Sequence, residues 1–475
     1  MTFVREPRGT TRARLRAELA RWRHDRPALR ALALREGYLY AETPDDALAL
    51  ATELHLADLF DDDALFLQRG ADVVRGMRKR EHGHVVYRVA DGPREGELLE
   101  LLFGDRVATE LAALAAPLHR DLRGLAEQEG FDRAAVSHAT DDALVLDVRV
   151  GALAATALAT SDGARLDLAC LDAAPEVLAS IDAERGRSAP RREGLRRLSA
   201  AVGAAIDEAL RFDRPEGEKT AERDGQLRPV WLSAYLHGQG AFVHESTTYA
   251  VFDPRGRPWP PEVCVDLVLD SFERAAGTWF RPRGEAPGRV AGALDFDDLG
   301  IANRRGVLAF EKFAADHPAL FSALRLPDAE RVPFGDRSRF FASLVARGDD
   351  FRPGDVVAIQ GRKRDGLVHQ HAILIERTDP VTGFPYGLAD QMKRPRRRTW
   401  EGVMAEAPLR SVLYRVRPTD RILAPGPGLR ARIDFSLHPR VAYCYTPRPS
   451  FRPGFPRPNQ AQLASMSRRA GGPPA

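Results

Sequence analysis

Three short apolar runs follow one another late in the chain: VVAI (Val356–Ile359), HQHAILIE (His369–Glu376) and YGLADQM (Tyr386–Met392). Each is shorter than an ordinary helix, and turn residues bound them: Pro353–Gly354–Asp355, then GRKRDG, then TDPVTGFP. Such runs read as neighbouring strands of one sheet. Alternation in the second run puts His369, His371, Ile373 and Ile375 on one face and Gln370, Ala372, Leu374 and Glu376 on the other. His371 therefore begins a buried row. Asp390, in the third run, is placed to orient an imidazole on the strand beside it.

Upstream, Pro260 and Pro261 favour a helix start, because the fixed φ of proline suits a first helical turn. Leu267, Val268, Ser271, Phe272 and Ala275 then recur at helical spacing, with Cys264 in the first turn on the same stripe. Unsatisfied N–H groups and the positive end of the helix dipole favour a thiolate there, and can donate to an oxyanion. Taken alone, Cys264 reads as a small apolar residue under a helix, and His371 as a satisfied core histidine. Taken together, a thiol on a helix N-terminus, a histidine on a strand and an acid on the next strand are the parts of Cys-His-acid catalysis. His369, on the same face, is the alternative base.

The segments PPEVCVDLVLDSF, RPGDVVAI, HQHAILI and PYGLADQ resemble the helix and strands of NlpC-type papain-like cysteine peptidases. They are most similar to an uncharacterised bacterial branch in which C-[TV]-D-[LV]-V precedes an N/D-x-R-R segment, here Asn303–Arg304–Arg305. The resemblance spans about residues 229–418. It implies an α+β fold with a papain-like helix and antiparallel sheet, and cleavage of amide bonds in cell-wall peptides without metal or organic cofactor. It assigns Cys264 as nucleophile, His371 as base and Asp390 as orienting residue, with Gln391 the alternative in that third place. Tyr249 occupies a position where the family often has a tyrosine near the oxyanion. The chain departs from the compact members in carrying Cys264-Val265-Asp266 instead of Cys-Ser-Gly, and in the longer interval from Cys264 to His371.

A chain of 475 residues holds two or three domains, and 44% hydrophobic with 29% charged residues is globular composition. The charged stretch 213–228 is the expected linker, after an N-terminal mixed α/β domain (1–212) to which no role is assigned. The hydrolase domain (229–418) then precedes a basic Pro/Arg-rich tail (419–475). Within the first domain, helices are expected over Thr11–Gly37, Val107–Glu129 and Arg192–Phe212. Strands are expected at Ala64–Leu67, His84–Val89, Leu98–Phe103, Ala143–Val150 and Ala164–Cys170. Three cysteines build no disulfide framework, and no apolar run approaches the ~18 residues of a membrane span. Without a signal peptide the expected compartment is the cytoplasm; a start assigned too late would make it periplasmic or secreted.

Competing chemistries have weaker support. His237, His244-Glu245 and His369-x-His371 are potential metal ligands on separate elements, with no HExxH or paired CxxC, so no metal is expected. The acidic LDFDDLG (Asp295, Asp297, Asp298) reads as a solvated turn or a contact to Arg304 or Arg305. Lys393–Arg398 reads as a solvated charged loop, which disfavours nucleic acid as a partner. No phosphate-binding glycine loop is present, so no nucleotide is expected. Two functions stay open: a thiol hydrolase acting on a peptide, isopeptide or other amide, and an inactive binding scaffold that retains the core. They separate on whether Cys264 and His371 meet or point into different cores.

Overall fold

The structure is a computed structural model that describes residues 56–60, 62–69, 72–100, 105–115, 122–139, 143–161, 166–213, 226–362, 368–378, 380 and 383–425. All of them fall within one compact unit, Met1–Arg432. The expected helix over 11–37, Cys444 and most of the basic tail lie outside the described residues.

The first sheet comprises β1 (Ala64–Arg69), β2 (Asp72–Glu81), β3 (His84–Val89) and β4 (Arg106–Ala108), in the order β3-β2-β1-β4. His82 and Gly83 link β2 to β3 with φ of 50° and 83°, the paired positive values that fit a tight hairpin to the twist of its strands. Val107, expected in a helix, instead pairs with Leu67 across β1 and β4, and the helix resolves into Leu111–Ala115 and Leu122–Glu129. Of Leu98–Phe103, only Leu98 makes a strand-like bridge, to Arg88, while residues 101–104 are outside the described set.

A second antiparallel sheet runs β5 (Arg133–Ala139), β6 (Ala143–Val150), β7 (Leu153–Ser161) and β8 (Leu166–Asp172) in sequence order. Beyond it, α1 (Pro175–Asp207) is 33 residues long, with Pro175 at its start. The expected Arg192–Phe212 helix is only its second half, because the helix continues through Pro190.

The next elements are α2 (Leu227–Leu236), the hairpin β9 (Ala241–His244) and β10 (Thr247–Ala250), and α3 (Cys264–Ala275). A short ribbon, β11 (Trp279–Phe280) with β12 (Arg289–Val290), leads to α4 (Val307–Asp316). The main sheet then assembles from β13 (Phe321–Arg325), β14 (Val356–Arg362), β15 (Val368–Arg377), β16 (Gly387–Gln391), β17 (Pro395–Arg398) and β18 (Arg410–Pro418). Its order is β13-β18-β14-β15-β16-β17, and every pair is antiparallel. Helices α5 (Arg337–Ala346) and α6 (Trp400–Glu406) complete this part. The class is α+β.

The segment expected as a linker does not separate two cores. Leu65, Leu67 and Tyr87 of the first sheet share one apolar cluster with Phe341, Ile373, Leu388 and Trp400. Across the same segment, α1 packs against α3. Burying Trp400 and Phe341 completely contributes about 1.5–3 kcal/mol each, so the N-terminal sheet stabilises the very strands that carry His371 and Asp390. Among the described residues, no helix is long and apolar enough to cross a membrane.

Candidate active site

Cys264 is the first residue of α3, and the chain before it is extended at Val263. What locks this helix start is Asp266. Its carboxylate accepts the Val263 N–H at 2.9 Å, satisfying a donor at the helix entry, and accepts the Arg305 guanidinium at 2.8 and 3.0 Å. The Cys264-Val265-Asp266 departure therefore has a structural purpose. In the run Pro260–Glu273 every residue is buried except Cys264, which is half-buried. The residues on either side of it are thus fixed by burial.

His371 lies on β15, 3% exposed, and its Nε2 is 3.0 Å from Asp390 Oδ2 on β16. Burial opposes the imidazolium, but the Cys264 sulfur, by charge and hydrogen bonding, and the Asp390 carboxylate outweigh it and hold His371 up to about 9. Since Nε2 faces Asp390, Nδ1 is the nitrogen left for the sulfur. Burial likewise opposes the Asp390 carboxylate, yet His371, Arg398 and Arg396 keep it below its ordinary range. Asp390 is therefore a charged acceptor at neutral pH, and His371 a charged donor. Gln391 points elsewhere, donating to the Leu210 carbonyl at 3.2 Å.

The Lys393–Arg398 run is not a solvated loop. Its last four residues form β17, and strand alternation divides their work. Arg396 donates to Asp390 at 2.8 Å, Arg398 donates to it at 3.3 Å, and both also bind Glu406. Arg397, between them, binds Glu376 and Asp72. The charges of Arg396, Arg397 and Arg398 are thus paired within the protein, while Lys393 is exposed.

Behind Cys264 lies a chain of buried ion pairs that composition alone did not reveal. Asp266, Asp270 and Glu273 recur at i, i+4 and i+7, and all are buried. Arg228 and Arg304 bind Asp270; Arg304 and Arg289 bind Glu273; Arg305 joins Asp266 to Asp213. Arg304 also reaches Asp297, and Arg289 reaches Asp295, so two of the three LDFDDLG acids are contacts to this network. Glu262 is fully buried, and burial followed by the Asp270 charge pushes its carboxyl well above the ordinary range.

Tyr249, on β10, stacks on Phe242 with Arg211 over its ring; its buried hydroxyl has no hydrogen-bond partner among the described residues. No hydrogen bond, ion pair or ring contact among the described residues joins it to Cys264 or His371. His237 caps α2 through the Ser233 carbonyl, and His244 pairs with Thr247 in the hairpin. His369 pairs with Gly361 on β14. Among the described residues no group of three His, Cys, Asp or Glu could hold a metal ion. No family model, curated protein or solved structure matches this chain.

The folded value of His371 lies above its ordinary 6.5, so its charge stabilises the fold fully below pH 6.5, and that contribution is lost as pH rises through about 9. Asp390→Asn removes the negative partner while keeping the shape. The imidazole of that variant should titrate at least one unit lower, followed by its ring-proton NMR signals; an unchanged value would show that Asp390 does not hold the charge.

Proposed function

We propose that this protein is a thiol hydrolase that cleaves an amide bond through Cys264, His371 and Asp390, on a papain-like arrangement of helix and sheet. The observation that carries the reading is a buried histidine 3.0 Å from the Asp390 carboxylate, with that carboxylate and the half-buried cysteine at the start of α3 both favouring its charged form. An inactive scaffold has no need to bury this charge, since breaking or burying one imperfectly is costly.

The chemistry follows from the charges. The Cys264 sulfur attacks the substrate carbonyl as a thiolate, forming the S–C bond and moving the carbonyl electron pair onto oxygen. N–H groups at the start of α3, which have no helical partner, receive that oxyanion. As the intermediate collapses, the C–N bond breaks and His371 gives its Nδ1 proton to the departing amine. The neutral imidazole then takes a proton from water, which attacks the thioester and releases the acid and the thiolate. Asp390 keeps the ring oriented and stabilises its charged form in both steps. The Tyr249 hydroxyl as a further oxyanion donor remains part of the proposal.

The resemblance to NlpC-type peptidases makes cell-wall peptide the first substrate class to test; a cytoplasmic isopeptide is the corresponding substrate if the protein acts inside the cell. The test is incubation of the purified chain with wall-derived peptides and with a general peptide library, read by mass spectrometry. New amide-cleavage products that disappear on prior alkylation of Cys264 support the reading. Turnover that survives that alkylation refutes it.

A further inference from the structure

Two guanidinium groups stand between Asp390 and the protein surface. On β17, Arg396 pairs with Asp390 and Arg398 with Leu388, so both arginines share the face of the sheet from which Asp390 projects. Arg396 Nε donates to Asp390 Oδ1 at 2.8 Å. Arg398 Nη1 donates at 3.3 Å to Oδ2, the oxygen that also meets His371. Both oxygens are engaged, and the carboxylate cannot turn from the imidazole without giving up a bond to an arginine.

The same two guanidinium groups converge on Glu406. Arg396 Nη1 and Nη2 donate to it at 3.1 and 2.8 Å, and Arg398 Nη1 at 2.9 Å. Arg396 also comes within 3.6 Å of Glu97, a carboxylate that Arg94 already binds. Glu406 ends α6, whose start is set by the Thr399 cap and the fully buried Trp400. Gly402, in the first turn of α6, makes room for Arg398, because a Cβ there would sit 2.9 Å from its Nη2. The Glu406 side chain is 44% exposed. Burial opposes its charge, yet Arg396 and Arg398 keep it below its ordinary range. Charge therefore alternates in sign from solvent inward, through Glu406, the two arginines, Asp390 and His371.

We infer that Arg396, Arg398 and Glu406 are positioning residues for the Cys264 reaction: the arginines clamp Asp390 against His371, and Glu406 sets how much of their positive charge Asp390 receives. This rests on the thiol-hydrolase reading of Cys264 and His371. Hydrolysis gives the arrangement a purpose. His371 must protonate the amine and then, as neutral imidazole, take a proton from water. An Asp390 charge undiluted by arginine would hold the ring in the first state.

NMR titration of the His371 ring protons, assigned by their loss in His371→Ala, reads the effect without a substrate. Cys264 of α3 and Asp390 of β16 act on the ring; Arg396 and Arg398 of β17 stand behind Asp390, and Glu406 and Glu97 behind them. Arg396→Gln takes a cation from Asp390, so the His371 midpoint should rise above about 9, by roughly half a pH unit or more. Glu406→Gln releases both arginines toward Asp390, so the midpoint should fall by a similar amount. Arg396→Lys, which keeps the cation, should stay closer to the unaltered value than Arg396→Gln. A purely structural contact behaves differently: losing either residue loosens the site and moves the midpoint toward 6.5 in both variants. Shifts of the same sign overturn the inference, and so does an unmoved midpoint in Glu406→Gln. Because Glu406 is exposed, that variant decides the matter if Arg396→Gln does not fold. In the same samples, iodoacetamide labelling at pH 6–7 compares Cys264 with Cys170. A faster Cys264 with unmoved midpoints overturns this inference and leaves the hydrolase reading standing. No advantage at Cys264 in the unaltered chain brings down the hydrolase reading and this inference with it.

Discussion

Cys264→Ala and His371→Ala should each reduce amide hydrolysis by about 10³-fold or more, and the double variant should be little worse than either single one. The reason is that both residues serve one chemical step: without the sulfur no acyl intermediate forms, and without the imidazolium the amine leaves unprotonated. Asp390→Ala should be milder in rate, because it supplies orientation and charge and not the reacting atom. It leaves Arg396 and Arg398 with Glu406 but without the Asp390 carboxylate, so its stability must be followed beside its activity. Additive losses for Cys264 and His371, measured as kcat/KM on any substrate found, would mean that the two do not act together.

The largest effect on stability is expected at Arg305. Its guanidinium joins Asp213 and Asp266, both fully buried, and Asp266 in turn caps the helix that presents Cys264. Arg305→Ala leaves two buried carboxylates short of their cation, a defect that costs about 3–5 kcal/mol. Chemical denaturation should show this loss, and Cys264 reactivity should fall in the fraction that stays folded. Glu262→Gln is the informative contrast. Burial and the Asp270 charge both favour the protonated form of Glu262, so an uncharged amide of the same shape should change stability by less than about 1 kcal/mol. A large loss there would mean that Glu262 is ionised in the folded protein.

Three of the six main-sheet strands, β14, β15 and β16, were legible because they are short apolar runs between turns, whereas β13, β17 and β18 were not. Pro260–Pro261 likewise marked the start of the Cys264 helix. Strands β2, β5 and β7 escaped the same reading. DVVRGMRKRE is mostly charged, while RAAVSHA and LAATALATS are rich in alanine, which gives little strand signal. The shared core was hidden for another reason. The contact between Leu67 and the Trp400 cluster joins residues too distant in sequence for any local pattern to record.

In the site, Asp390 and Gln391 were indistinguishable by spacing, and strand pairing separates them by turning one toward His371 and the other toward Leu210. The Arg396 and Arg398 contacts to Asp390 follow from the same alternation, applied to a run whose charge suggested solvent. The acids at Asp266, Asp270 and Glu273 were visible as an i, i+4, i+7 series. Their meaning required the arginines that meet them: Arg228, on α2, and Arg289, Arg304 and Arg305 from the stretch after α3.

The pH dependence of Cys264 alkylation by iodoacetamide tests the central claim most directly, because it reads the sulfur and its histidine without a substrate. An ordinary thiol, with pKa near 8.5, barely reacts at pH 6–7. If His371 is charged beside Cys264 up to about pH 9, Cys264 should label at pH 6–7 at least about tenfold faster than Cys170. His371→Ala should erase that advantage. Equal labelling of the two cysteines from pH 6 to 9, or an advantage at Cys264 that persists in His371→Ala, would contradict the account.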